Sequence, residues 1–350
     1  MKAFLFTTAL LMGATVWAQP ADRLHRKALV IDTHNDFISI SLSNRIAFDA
    51  SLQGRTHSDL NRMFKGGIDA QFFSIFGGGD IGFAHAMQEI DSVYAIAQRN
   101  PDRVALATSP AELKKAARSG KLAALMGVEG GHMIEDDLNK LQTLYNRGVR
   151  YMTLTWNNST LWASSAAEET SGKIPVEKRG LNSFGQQVVQ KMNEMGMMVD
   201  ISHVGEKTFW DVMKIVTKPV IASHSSVYHF APVPRNLKDD QIDAIGKNGG
   251  VICVNFYSGF LDSTFDKKSA RPPLSKLIDH IDYIAKRIGV DHVGLGSDFD
   301  GIGSSPQELD GVQDFPKITR ALLERGYSNK DIRKILGGNV LRVFAANDRK

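Results

Sequence analysis

Leu29-Val30-Ile31-Asp32-Thr33-His34-Asn35-Asp36 decides how this 350-residue chain is read. The apolar run, with two β-branched side chains, predicts a short buried strand, and the polar residues follow at its C-terminal end. Side chains alternate along an extended segment, so His34 and Asp36 are expected on one side. Seven further apolar runs follow: Ala70 to Ile75, Leu122 to Met126, Tyr151 to Thr155, Met197 to Ile201, Pro219 to Ala222, Gly250 to Val254 and His292 to Gly296. The segments between them have helical spacing. Ser109-Pro110-Ala111-Glu112 is a capping box with proline at the first helical position, and Gly205 to Val216 and Leu274 to Ile288 are amphipathic. Eight strands alternating with helices predict an α/β fold, a (β/α)8 TIM-type barrel, with Ser328 to Phe344 as flanking C-terminal helices.

Residues suited to binding a metal fall where such a barrel builds its sites, at the C-terminal ends of the strands. The first run leads into His34 and Asp36, the third into Glu129, the fifth into His203, the sixth into His224 and the eighth into Asp298. Any one of these histidines alone reads as a structural or surface residue. Their recurrence at one end of independent strands predicts a dinuclear zinc site: two imidazoles, a His-x-Asp pair and a carboxylate able to bridge. His25, His57, His85, His280 and His292 are read as structural or solvent-exposed, and His132 and His229 are left out of the ligand set.

Other chemistries lack their patterns. Gly77-Gly78-Gly79-Asp80 is a rim loop without the lysine-bearing phosphate motif, and Ser223, Ser225 and Ser226 lack the nucleophile-elbow glycines. The 42 Lys+Arg against 38 Asp+Glu leave a net charge of +4 with no extended basic run, which argues against a nucleic-acid partner. Residues 1–18 read as a signal peptide, with a lysine, an apolar stretch too short to span a bilayer and a small-residue exit at Ala18. One domain over 19–350, exported to the periplasm or medium without a stable membrane anchor, is the expectation. The single cysteine, Cys253, excludes an intrachain disulfide and reads as a core residue.

At these positions the chain resembles the membrane (renal) dipeptidase family of metallopeptidases, from about Ala28 to Phe344. The resemblance is carried by Ile31-Asp32-Thr33-His34-Asn35-Asp36, Gly127-Val128-Glu129-Gly130-Gly131-His132, Asp200-Ile201-Ser202-His203-Val204, Ser223-His224-Ser225-Ser226, Arg235-Asn236, Gly296-Ser297-Asp298-Phe299-Asp300-Gly301 and Gly337-Gly338-Asn339. It implies His34, Asp36 and Glu129 on one Zn2+ and Glu129, His203 and His224 on a second, with Glu129 as the bridge. It further implies Arg235 on the carboxylate of a dipeptide substrate and Asp298 as the proton carrier. Trp156 stands where the family's mammalian members have a substrate-contacting histidine. An indole N–H donates but accepts nothing, so Trp156 and Asn157 are candidate substrate contacts, with Asn157 a candidate replacement donor.

The expected reaction is hydrolysis of a dipeptide by a hydroxide bridging two zinc ions, with Asp298 handling the proton. The alternatives are a related amide or lactam hydrolase, L,D-dipeptides included, and a non-catalytic exported binding protein. A homodimer is expected by analogy with similar barrels.

Overall fold

Each of the eight apolar runs contributes a barrel strand, and one strand more is present. The structure, a computed structural model, describes residues 20–78 and 81–349. Its strands are β1 (Ile31–Asn35), β2 (Ala70–Phe76), β3 (Val104–Leu106), β4 (Leu122–Glu129), β5 (Val149–Thr153), β6 (Met198–Asp200), β7 (Ile221–Ala222), β8 (Val251–Val254) and β9 (Val293–Leu295). All pairings are parallel, in the order β1-β2-β4-β5-β6-β7-β8-β9. A bridge between Asn35 and Phe299 and the bond from the Asp298 N–H to the His34 carbonyl (3.1 Å) bring the two ends together. This is a (β/α)8 TIM-type barrel.

The ninth strand, β3, lies off this ring and pairs only with β4. It takes the edge of β4 from Leu122 to Ala124, and β5 takes over from Met126. Val104-Ala105-Leu106 offers three residues and no period, so the sequence carries no signal for it.

Helices fill the crossovers. The Ser109 hydroxyl accepts the Glu112 N–H at 3.2 Å in the expected cap, and Leu274–Ile288 and Glu206–Ile215 bury their apolar faces. One apolar layer lies between strands and helices, and a second fills the barrel itself with Ile31, Phe72, Leu125, Tyr151, Met198 and Cys253. Val340, Val343 and Phe344 of the helix Asn339–Asn347 pack into this inner layer, so the last helix plugs the barrel as well as flanking it. No helix among the described residues is long and apolar enough to cross a membrane. The expected signal, residues 1–18, lies outside the described residues, as do Gly79 and Asp80 of the rim loop.

Candidate metal centre

His34 and Asp36 converge for a reason other than strand alternation. Between Asp32 and Asn35 the register against β2 slips by one residue, and such a bulge turns side chains from one face to the other. Ile31 therefore packs in the inner layer and His34, three residues on, also reaches the interior hydroxyl of Tyr151. Asp36 lies past the strand end at φ −95°, ψ 18°, the sparsely allowed region where turn and site residues sit. Its Oδ2 comes within 3.6 Å of His34 Nε2.

Glu129 ends β4 at the centre of the group. Its Oε2 is 3.2 Å from His34 Nε2, and its Oε1 is 2.9 Å from His203 Nε2 and 3.5 Å from His224 Nε2. The two histidine Nε2 atoms on that side are 3.0 Å apart, and the His34 and His224 rings stack at 3.8 Å. His203 and Asp298 reach the centre with left-handed backbones, φ 63° and 59°, strain of the kind that persists where surrounding structure enforces a functional geometry.

What holds the outer ring nitrogens shows what the inner ones need. Tyr151 donates its hydroxyl to the Thr33 carbonyl (2.9 Å), so its oxygen accepts the His34 Nδ1–H (2.8 Å). Ser223 donates to Asp200 Oδ2 (2.6 Å) and accepts the His224 Nδ1–H (2.8 Å), and Asn157 Oδ1 accepts the His203 Nδ1–H (3.2 Å). With each Nδ1 protonated, the neutral rings turn three Nε2 lone pairs toward one carboxylate. His34 Nε2 and Asp36 Oδ1 are buried without a hydrogen-bond partner. Lone pairs so arranged repel unless positive charge stands among them, so the residues fit bound divalent cations.

Without a cation among these lone pairs a proton takes its place on His34 Nε2, so the titration behaviour expresses the same demand for positive charge. Burial lowers the His34 imidazolium, but the charges of Glu129 and Asp36 outweigh it and carry the group up to about 10. Burial lowers His203 to about 4 and pushes His224 well below the usual histidine range. Burial raises Asp36 well above the ordinary carboxylate range and raises Asp298 as well. Glu129, although burial alone would raise it, is held well below that range by the charge of a protonated His34 and its contacts with His203 and His224.

The centre opens into a cavity of about 880 Å³ lined by Asp36, Glu129, Trp156, Arg235 and Asp298 among others. Asn255 donates to Asp298 Oδ2 at 2.7 Å and leaves Oδ1 turned toward Gly301. A Cβ on Gly301 would stand 2.3 Å from Asp36 Oδ2 and 2.7 Å from Asp298 Oδ1, so only glycine leaves the centre open there. Arg235 makes two long bonds, to Ser225 Oγ (3.5 Å) and the His224 carbonyl (3.2 Å), and packs over Phe260. Among the described residues it has no ion-pair partner, and burial lowers it to about 10. Trp156 lies against Phe76 on the cavity wall. Asn157 lines the cavity too; its side-chain oxygen accepts from His203, which leaves its amide N–H2 as a donor toward the cavity.

Tyr151, Ser223, Asp200 and Asn255 hold the candidate ligands and Asp298 by hydrogen bonds, and none of them has a role in the sequence reading. The one available signal was Gly127, paired in register with Tyr151: a Cβ there would lie 1.9 Å from the phenol ring. Tyr151→Phe is expected to keep the packing and weaken metal binding by roughly 10- to 100-fold, because the His34 tautomer is no longer held. Metal titration of the purified variant measures it, and unchanged affinity would remove Tyr151 from the site.

Barrel, carboxylate-histidine centre and open cavity together define a metal-dependent hydrolase. A model of the membrane dipeptidase family, peptidase family M19, matches residues 18–349, and the chain belongs to that family of metallo-dipeptidases. Among solved structures, a metallopeptidase from Rhodobacter sphaeroides liganded with a phosphinate mimic of the dipeptide L-Ala-D-Ala is 26% identical, with 92% of this chain and 99% of that one covered and a TM-score of 0.82. A metallopeptidase of the same family described as dipeptidase AC is 27% identical, with 91% and 98% covered and a TM-score of 0.83. The probable dipeptidase PvdM from Pseudomonas aeruginosa, 23% identical over 95% and 98% with a TM-score of 0.84, shares the fold.

Proposed function

We propose that this chain is an exported dizinc dipeptidase. The observation that carries the two-metal reading is the division of Glu129: one carboxylate oxygen faces His34 and the other faces His203 and His224. That supports one ion held by His34, Asp36 and Glu129 and a second held by Glu129, His203 and His224. When bound, such ions polarise a carbonyl and make water nucleophilic near neutral pH.

The chain's own residues supply the rest. Arg235, half-buried and without an acid partner among the described residues, takes the substrate's C-terminal carboxylate in its planar fork. With that end anchored, the peptide bond next to it is the one held over Glu129, which limits the substrate to short peptides. Asp298, raised by burial and fixed at Oδ2 by Asn255, accepts a proton at Oδ1 and returns it to the leaving amine. Arg235→Met is expected to raise KM by roughly 10- to 100-fold with a smaller change in kcat, the signature of a lost ground-state contact to a charged group. Steady-state kinetics on one dipeptide separates the two parameters.

The deciding experiment is amino-acid release from L,L- and L,D-dipeptides and cyclic amides, paired with metal analysis before and after chelation. Activity that follows zinc content and is confined to dipeptides supports the reading, and full activity after complete metal removal sinks it. Export and a homodimer belong to the same proposal. The N-terminal sequence of the fractionated protein and its mass in solution test them.

A further inference from the structure

The two halves of the cavity wall differ in charge. β1, β2, β4 and β5 are successive neighbours on one side of the barrel, and β7, β8 and β9 occupy the other. The three cations of the lining, Arg235, Lys267 and Arg271, all follow β7 and β8, where they stand among Tyr257, Phe260 and Phe265 and beside the carboxylates Asp298 and Asp300 after β9. The first half contributes Ile40, Phe76 and Trp156 with uncharged polar neighbours, and no charge beyond Asp36 and Glu129 of the centre itself.

Phe76 and Trp156 meet with ring centroids 5.0 Å apart at 59°, a favourable aromatic separation. Phe76 is paired in register with Glu129, so the aromatic wall stands directly beside the centre. Its base is tied down: buried Glu89 accepts the Phe76 backbone N–H and the Ser39 hydroxyl (2.7 Å). Side chains held on a strand end by such support are preorganised for binding.

We propose that Phe76 and Trp156 form the subsite for the side chain of the substrate's N-terminal residue and select apolar, above all aromatic, groups there. This rests on the dipeptidase reading and on Arg235 as the carboxylate anchor. With the C-terminal carboxylate on the cationic half and the peptide bond over Glu129, the N-terminal residue extends toward the opposite half. An apolar side chain there leaves water against two rings. An acidic one loses hydration against the rings and meets no cationic side chain on that wall.

The test is kcat/KM for Phe-Ala, Leu-Ala, Gly-Ala and Asp-Ala with the zinc-loaded protein. Phe-Ala and Leu-Ala are expected to exceed Gly-Ala by about ten-fold or more, with Asp-Ala the poorest. Trp156→Ala should lower the Phe-Ala to Gly-Ala ratio about ten-fold, and Trp156→Phe should restore much of it. The proposal is overturned if the wild type favours Gly-Ala or Asp-Ala, or if both variants slow every substrate by one common factor. Should no dipeptide be hydrolysed, the dipeptidase reading fails separately. Calorimetric binding of Phe-Ala and Gly-Ala then decides the subsite, and equal affinities overturn it.

Discussion

Glu129→Gln is expected to abolish stoichiometric metal binding and to take dipeptide hydrolysis below detection while the barrel stays folded. The carboxylate is the one anion that faces all three imidazoles, at 2.9 to 3.5 Å from their Nε2 atoms. Glutamine keeps the volume, removes the charge and turns an amide N–H2 toward nitrogen lone pairs that would otherwise bind a cation. The same N–H2 can hydrogen-bond one of those lone pairs, so the substitution relieves repulsion in the metal-free protein and leaves the inner layer packed. Metal analysis, circular dichroism and the dipeptide assay on one preparation check this. A variant that retains two equivalents of metal would show that Glu129 is not the bridge.

Asp298→Asn is the second large expected effect: kcat falls by about 10²- to 10⁴-fold, the range for loss of a positioned general acid–base, with metal content unchanged. The amide oxygen can still accept from Asn255, as Oδ2 does at 2.7 Å, so the loop stays in place but the group no longer takes up a proton. The two functions open to Asp298 are thereby separated. His34, Asp36 and Asp298 can present ligand atoms within 4.8 Å of one another, so Asp298 could instead hold a metal. Loss of metal together with activity would assign it that role and overturn the proton-carrier reading.

The barrel was legible because its strands are buried on both faces, so eight apolar runs stand out whatever surrounds them. Their limits were less legible. The first run ends at Ile31 by composition, yet β1 continues to Asn35 because the bulge lets polar residues pair within the strand. Candidate ligands were legible as residue types at strand ends. Their mutual geometry was not, because it depends on register: Tyr151 reaches His34 across 117 positions, and Asn255 reaches Asp298 across 43.

Sequence by itself determined the α/β class, the Ser109 helix cap, the C-terminal ends of strands as the place of the site and the list of chemically capable residues. All of these follow from local periodicity and residue chemistry, which are properties of short segments. Only the tertiary structure decided that Asp36 joins His34 from a bent backbone, that Asn157 accepts from His203, that Glu129 divides its oxygens between two sets of histidines, and that the cavity's cationic side chains all stand on the half opposite Phe76 and Trp156. Those features arise from closing the ring. Closure places loops from distant strands against one another at distances where a one-residue shift in register would turn each side chain away.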